Sequence, residues 1–154
     1  MSRVSISHVR EIKQYHRISL RVPFRDVDSW GLIWHGHYFS FVDQARLELL
    51  KRFSISFSEF PKLGFVMPVV HAQINLRAPA KADELIHVDV AMIGGRGAMV
   101  ETHFRVMAAE TKNKKLADGF TKQVFTRTDG SLLYHMPKVV ASEFAALHCF
   151  AMGE

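Results

Sequence analysis

The sequence predicts an α+β fold, an antiparallel β-sheet with one long α-helix packed against one face. Three observations carry that prediction. One amphipathic stretch, 36–53, has the spacing and length of a helix. Four apolar stretches with strand character follow it, over 65–78, 85–93, 98–109 and 116–128. The breaks between those four are of hairpin length, too short for the helical crossovers of a parallel sheet. A helix followed by an antiparallel run is an α+β solution.

The elements follow in order. Residues 1–12 show no clear period and read as a loose arm. Residues 14–22 alternate, with Tyr15, Arg17, Ser19 and Arg21 against His16, Ile18, Leu20 and Val22, as a strand does. Residues 23–34 form a connection. In the long helix, Tyr38, Phe41, Val42, Ala45, Leu49 and Phe53 recur at three- and four-residue steps, and Leu47 and Leu50 widen the apolar surface. Ser56 and Glu59 have capping-box spacing, so a short second helix is expected to about Leu63, stopped by Gly64. The four strands are then broken at 79–83, 94–97 and 112–115, and a short helix is expected over 142–147. One domain over 1–154, with its core at about 14–140, accounts for the chain. A sheet of this kind leaves two edges and a second face to cover, so a homo-oligomer, dimer or tetramer, is expected.

Composition narrows the function classes. With 154 residues and 48% apolar content, the chain can build a core. A net charge of +5 and a pI near 9.6 fit either a solvated basic surface or attraction to an anionic partner. The basic residues are scattered, with no aromatic-interleaved stripe and no zinc or helix-turn-helix pattern, so no nucleic-acid partner is expected. No apolar run approaches the ~20 residues of a membrane-spanning helix, and the N-terminus has no secretory h-region. The lone cysteine, Cys149, can form no internal disulfide, which favours a reducing cytoplasm.

The most informative stretch is 24–38, Phe-Arg-Asp-Val-Asp-Ser-Trp-Gly-Leu-Ile-Trp-His-Gly-His-Tyr. Asp26, Asp28, Gly31, His35 and His37 stand directly before the long helix. A helix start leaves backbone N–H groups unpaired and carries partial positive charge, so it can hold a developing oxyanion. A carboxylate a few residues upstream can reach the same spot, a combination suited to acyl transfer to water. The same acids and histidines could ligate a metal, but no further His, Cys or Glu motif completes a site, and no metal is expected. Gly-x-Ser-x-Gly is absent, which gives a serine hydrolase no support. Gly94-Gly95-Arg96-Gly97 lacks the ending and setting of a phosphate loop and reads as a hairpin turn.

The run from Asp26 to Tyr38 resembles the signature of hotdog-fold acyl-CoA thioesterases of the 4-hydroxybenzoyl-CoA thioesterase family. The likeness extends more weakly over 15–140, with Arg77-Ala78-Pro79-Ala80 at the family's bend. The resemblance implies a sheet wrapped around a central helix, an acyl-CoA substrate, and no cofactor beyond the coenzyme A that the substrate brings. It places Asp28 as nucleophile or general base and the His35 backbone amide as the group polarising the thioester carbonyl. His37 stands where the family has asparagine. Asp43, two turns into the helix, matches a helix carboxylate used by a related group and is the reserve candidate. Asp26 reads as structural, holding the loop or pairing with Arg25 or Arg46. Arg77, Lys81 and Arg96 lie at turns or strand ends where they could meet CoA phosphates, although each also reads as plain surface charge. A thioesterase acting on a carrier protein and a non-catalytic acyl-CoA-binding protein are the alternatives.

Overall fold

In a computed structural model, which describes residues 11–154, the sheet is built from five antiparallel strands. They are β1 (His16–Arg21), β3 (Val69–Leu76), β4 (Leu85–Gly94), β5 (Met99–Ala108) and β6 (Lys115–Val124). Most of the N-terminal arm expected over 1–12 lies outside the described residues. Two short strands, β2 (Phe65–Val66) and β7 (Thr126–Arg127), pair as a separate ribbon. The order across the sheet is β1-β4-β5-β6-β3. The strands that follow one another in sequence are therefore not all neighbours. The 77–84 connection carries the chain from β3 at one edge past β6 and β5 to β4. The stretch read as one strand over 65–78 is two, split around Pro68, which has no N–H to give a ladder.

Helix α1 (His37–Arg52) lies where the periodicity places it. Tyr38, Phe41, Val42, Ala45, Leu49 and Leu50 are buried, whereas Leu47 stays on the solvent side. Its partner face alternates along the strands: Ile86, Val88, Val90 and Met92 of β4 stand beside Val100, Thr102, Phe104 and Val106 of β5. Phe39 meets Phe104 edge-on at 6.0 Å between ring centres, fixing α1 to that face. The expected short helix after Ser56 is instead two 3-10 turns, Phe57–Glu59 and Pro61–Leu63, ended by Gly64 in the left-handed region. Ser56 does not cap; its hydroxyl bonds Ser58 at 2.9 Å.

The largest departure is α2 (Lys138–Met152), far longer than the turn or two expected over 142–147. Pro137 occupies its N-cap and its first turn has no acid, so the usual start signals are missing. Helix α2 packs on β4, and β1 pairs with β4 only as far as His16 opposite Val90. Beyond that point the Gly94 N–H donates to His148 Nδ1 at 3.1 Å, and the Lys13 and Gln14 N–H groups donate to the Ala151 carbonyl. The outer face of the sheet is ionic: Asp89, 1% exposed, takes hydrogen bonds from Arg17 and Arg105, its cross-strand neighbours on either side.

Candidate active site

The connection between β1 and α1 folds around Asp28. Its backbone N–H donates to the Leu32 carbonyl, its carbonyl accepts from Gly31, and Gly31 sits at φ +75°, a value that favours glycine. Asp28 Oδ1 accepts the N–H of Trp30 at 2.8 Å and of Leu32 at 3.2 Å. Its Oδ2 has no partner among the described residues. One carboxylate oxygen is thus anchored and the other is unpaired among the described residues.

The chain then runs through an isolated bridge, Leu32 opposite Lys81, and the Ile33 N–H donates to the Ala80 carbonyl at 2.9 Å. This tie brings the Arg77-Ala78-Pro79 bend against the loop. The result is a cleft of about 330 Å³ lined by Asp28, Trp30, His35, Tyr38, Leu76 and Arg77, with Ala78 and Pro79 among its other walls. Gly36 is the N-cap of α1, and His35 is the residue before that cap. Among the described residues the His35 N–H has no hydrogen-bond acceptor. It therefore stands as an unpaired donor at the positive end of α1.

The sequence candidates separate in space. Asp28, His35 and Arg77 line one cleft, and Lys81 is tied to its wall through Leu32. Arg77 is held by Asp118, with Nε to Oδ2 at 3.2 Å. Burial works to raise the Asp118 pKa, but hydrogen bonds from Asn75, Arg77 and Lys115 outweigh it and hold the group below its usual value. Asp43 points away, more than half exposed and paired with Arg46 at 2.9 Å. Arg96 lines a different cavity beside α2. Asp26 is buried next to the helix start, 3.6 Å from His37 Nδ1 and 3.8 Å from Arg25 Nε; Arg46 is not its partner. Among the described residues no group of three or more His, Cys, Asp or Glu side chains is arranged to hold a metal.

Tyr38 is a lining residue that sequence reasoning assigned to the core alone. It is both, buried at 3% and facing the cleft. Burial raises its pKa above the ordinary phenol value, so the cleft wall carries a protonated hydroxyl at neutral pH. Its place in the first turn of α1, three residues after His35, was the signal available.

The antiparallel sheet crossed by α1, with a carboxylate at the helix start, defines a protein of the hotdog thioesterase class. The family model of the thioesterase-like superfamily matches residues 22–144, and the chain belongs to that family. A Synechocystis sp. protein provisionally named an esterase is 23% identical over 135 residues, 88% of this chain and 81% of its own length. The acyl-CoA thioester hydrolase YbgC of Escherichia coli is 26% identical over 94 residues, 61% of this chain and 70% of its own. Among solved structures, a 1,4-dihydroxy-2-naphthoyl-CoA thioesterase from Synechocystis superposes with a TM-score of 0.78 at 17% identity. The match covers 88% of this chain and 96% of that one, and shows the shared fold.

Proposed function

We propose that this chain hydrolyses an acyl-CoA thioester to a free acid and coenzyme A. The observation that carries the reading is the free Asp28 Oδ2 in the same cleft as the unpaired His35 N–H. Similarity to the E. coli acyl-CoA thioester hydrolase supports the substrate class. In this reading the thioester carbonyl oxygen accepts from the His35 N–H, and the end of α1 stabilises the negative charge that develops there. Asp28 Oδ2 either takes a proton from the attacking water or attacks the carbonyl carbon itself. On either course the C–S bond breaks, the sulfur leaves as thiolate and takes a proton, and water supplies the new acid oxygen. The steps of this reading call on no metal or redox group.

In this reading Arg77 and Lys81 are the basic residues that meet CoA phosphates, and Asp43 remains the reserve carboxylate. Arg96 lines the separate cavity beside α2 and does not reach this cleft within one chain. The oligomer we infer pairs copies through β3, an edge strand whose Val69, Val70 and Leu76 are 45%, 58% and 55% exposed. A dimer at least, and a tetramer of paired dimers in full, would cover that edge and enlarge a cleft near the low end of ligand-pocket volumes, roughly 300–1,000 Å³. Residues 1–154 act as one domain in this account, and the lone Cys149 favours a reducing cytoplasm.

The test is thiol release from a panel of acyl-CoAs, set beside the same acyl groups on a carrier protein. Turnover of CoA thioesters supports the reading. Turnover only on the carrier protein moves the substrate class. Tight binding of acyl-CoA without thiol release makes the protein a binding module.

A further inference from the structure

A second cavity, of about 870 Å³, lies between α2 and the outer face of the sheet at the β4–β5 turn. It shares no lining residue with the Asp28 cleft. We propose that it binds a fatty carboxylate, an apolar chain with one anionic head. This does not rest on the thioesterase reading.

The walls supply the apolar half of the argument. Ile93, Met99, Met136 and Phe144 line the cavity, with the small Ala141 and Ala145 leaving room along α2. Unbranched Met side chains adapt to ligands of varied length and shape. An apolar cavity of this size on a described surface is of the kind that takes a small molecule, for which roughly 300–1,000 Å³ is usual.

The polar half sets the sign of the head group. Glu101 is the one acid among the lining residues, and both its oxygens are engaged. Oε2 lies 2.8 Å from His103 Nε2 and Oε1 lies 3.6 Å from Lys122 Nζ. Arg96 has no carboxylate partner among the described residues. Among the lining arginine, lysine and acid side chains, Arg96 and Lys122 outnumber Glu101 by one positive charge. His148 adds a donor: its Nδ1 accepts the Gly94 N–H, which leaves the ring proton on Nε2. One surplus cation and the His148 Nε2–H donor beside an apolar wall suit a single carboxylate with a tail. A cationic amphiphile would meet repulsion, and a neutral one would leave Arg96 without an anionic partner.

Calorimetric titration of the full chain with dodecanoate, 1-dodecanol and dodecyltrimethylammonium tests the proposal. Dodecanoate is expected to bind one per chain and at least tenfold more tightly than either of the others. Ala145→Trp, which fills the cavity from an exposed helix position, is expected to weaken dodecanoate tenfold or more. The double substitution Arg96→Met, Lys122→Met is expected to bring dodecanoate down to the level of dodecanol with the melting temperature retained. Absence of dodecanoate binding overturns the proposal, and so does equal binding of the cationic amphiphile. Unchanged affinity in Ala145→Trp overturns it as well. Should that variant not fold, an undiminished preference for dodecanoate in the double variant does the same. Loss of oligomer in Ala145→Trp, with no dodecanoate binding by the unsubstituted chain, would assign the cavity to a second copy instead.

Discussion

The indole of Trp34 lies against the backbone of Gly36, so close that a Cβ at Gly36 would be driven into the ring. The same indole packs on His35 and His37, with ring centres 4.8 and 5.3 Å away. The approach reserves position 36 for glycine and holds the turn that presents the His35 N–H. Gly36→Ala is expected to displace the indole, lower the melting temperature by the equivalent of about 1–3 kcal/mol, and reduce turnover at least tenfold. Adding Trp34→Ala to Gly36→Ala should recover part of the stability. Melting curves and kinetics unchanged in Gly36→Ala would show that the contact positions nothing.

Asp89 gives a pH prediction. Burial works to raise its pKa, but hydrogen bonds and charge from Arg17 and Arg105 outweigh it, so the folded value lies below the ordinary one. A carboxyl whose pKa is depressed on folding contributes stability that is present above its unfolded value, about 3.9, and lost as pH falls through the folded value. The chain should therefore lose stability in acid below about pH 4, and Asp89→Asn should flatten that dependence. At neutral pH the substitution should cost about 1–3 kcal/mol, since both arginines keep some access to water. Denaturant titrations at pH 7 and pH 3 check both points; equal losses in the two proteins would remove Asp89 from the account.

The edge strand predicts association. Sedimentation at micromolar concentration should show a dimer or larger, and Val70→Lys on β3 should shift the population towards the 17.6 kDa chain. A monomer at every concentration would contradict the shared cleft.

Arg77 predicts a split between binding and chemistry. Arg77→Met should raise KM several-fold for an acyl-CoA while leaving kcat near its starting value. It should also reduce the sensitivity of KM to salt, because exposed charges are screened over ~8 Å at physiological ionic strength. An N-acetylcysteamine thioester, which lacks the phosphates, should respond to neither change. Equal responses for both substrates would make Arg77 plain surface charge.

What the sequence showed and what it hid follows from the range of the interactions. Helix α1 was legible to within a residue at each end because its apolar spacing is local. Gly64 was legible as a stop for the same reason, although what it ends is a 3-10 turn. The strand order was not, because pairing β3 with β6 and β4 with β1 is decided by contacts far apart in the chain. The Asp89 ion pairs share that cause: Arg17, Asp89 and Arg105 come together only once the register is set. Helix α2 was underestimated because it opens Lys-Val-Val after Pro137, without a capping side chain, and its apolar residues do not confine themselves to one face. At the candidate site, Asp28, His35 and Arg77 were named from the sequence, whereas the meeting of the 76–79 wall with the Asp28 loop was supplied by the fold.

If the Asp28 carboxylate performs the chemistry, Asp28→Asn is the substitution that should remove it. Asparagine keeps an oxygen able to accept the Trp30 and Leu32 N–H groups, so the turn should survive and the melting temperature should hold. Thiol release from an acyl-CoA, measured beside Asp43→Asn, should fall about 10²–10⁴-fold in Asp28→Asn and stay near the unsubstituted rate in Asp43→Asn. Near-full turnover in Asp28→Asn with an inactive Asp43→Asn would contradict the account and move the catalytic acid onto helix α1.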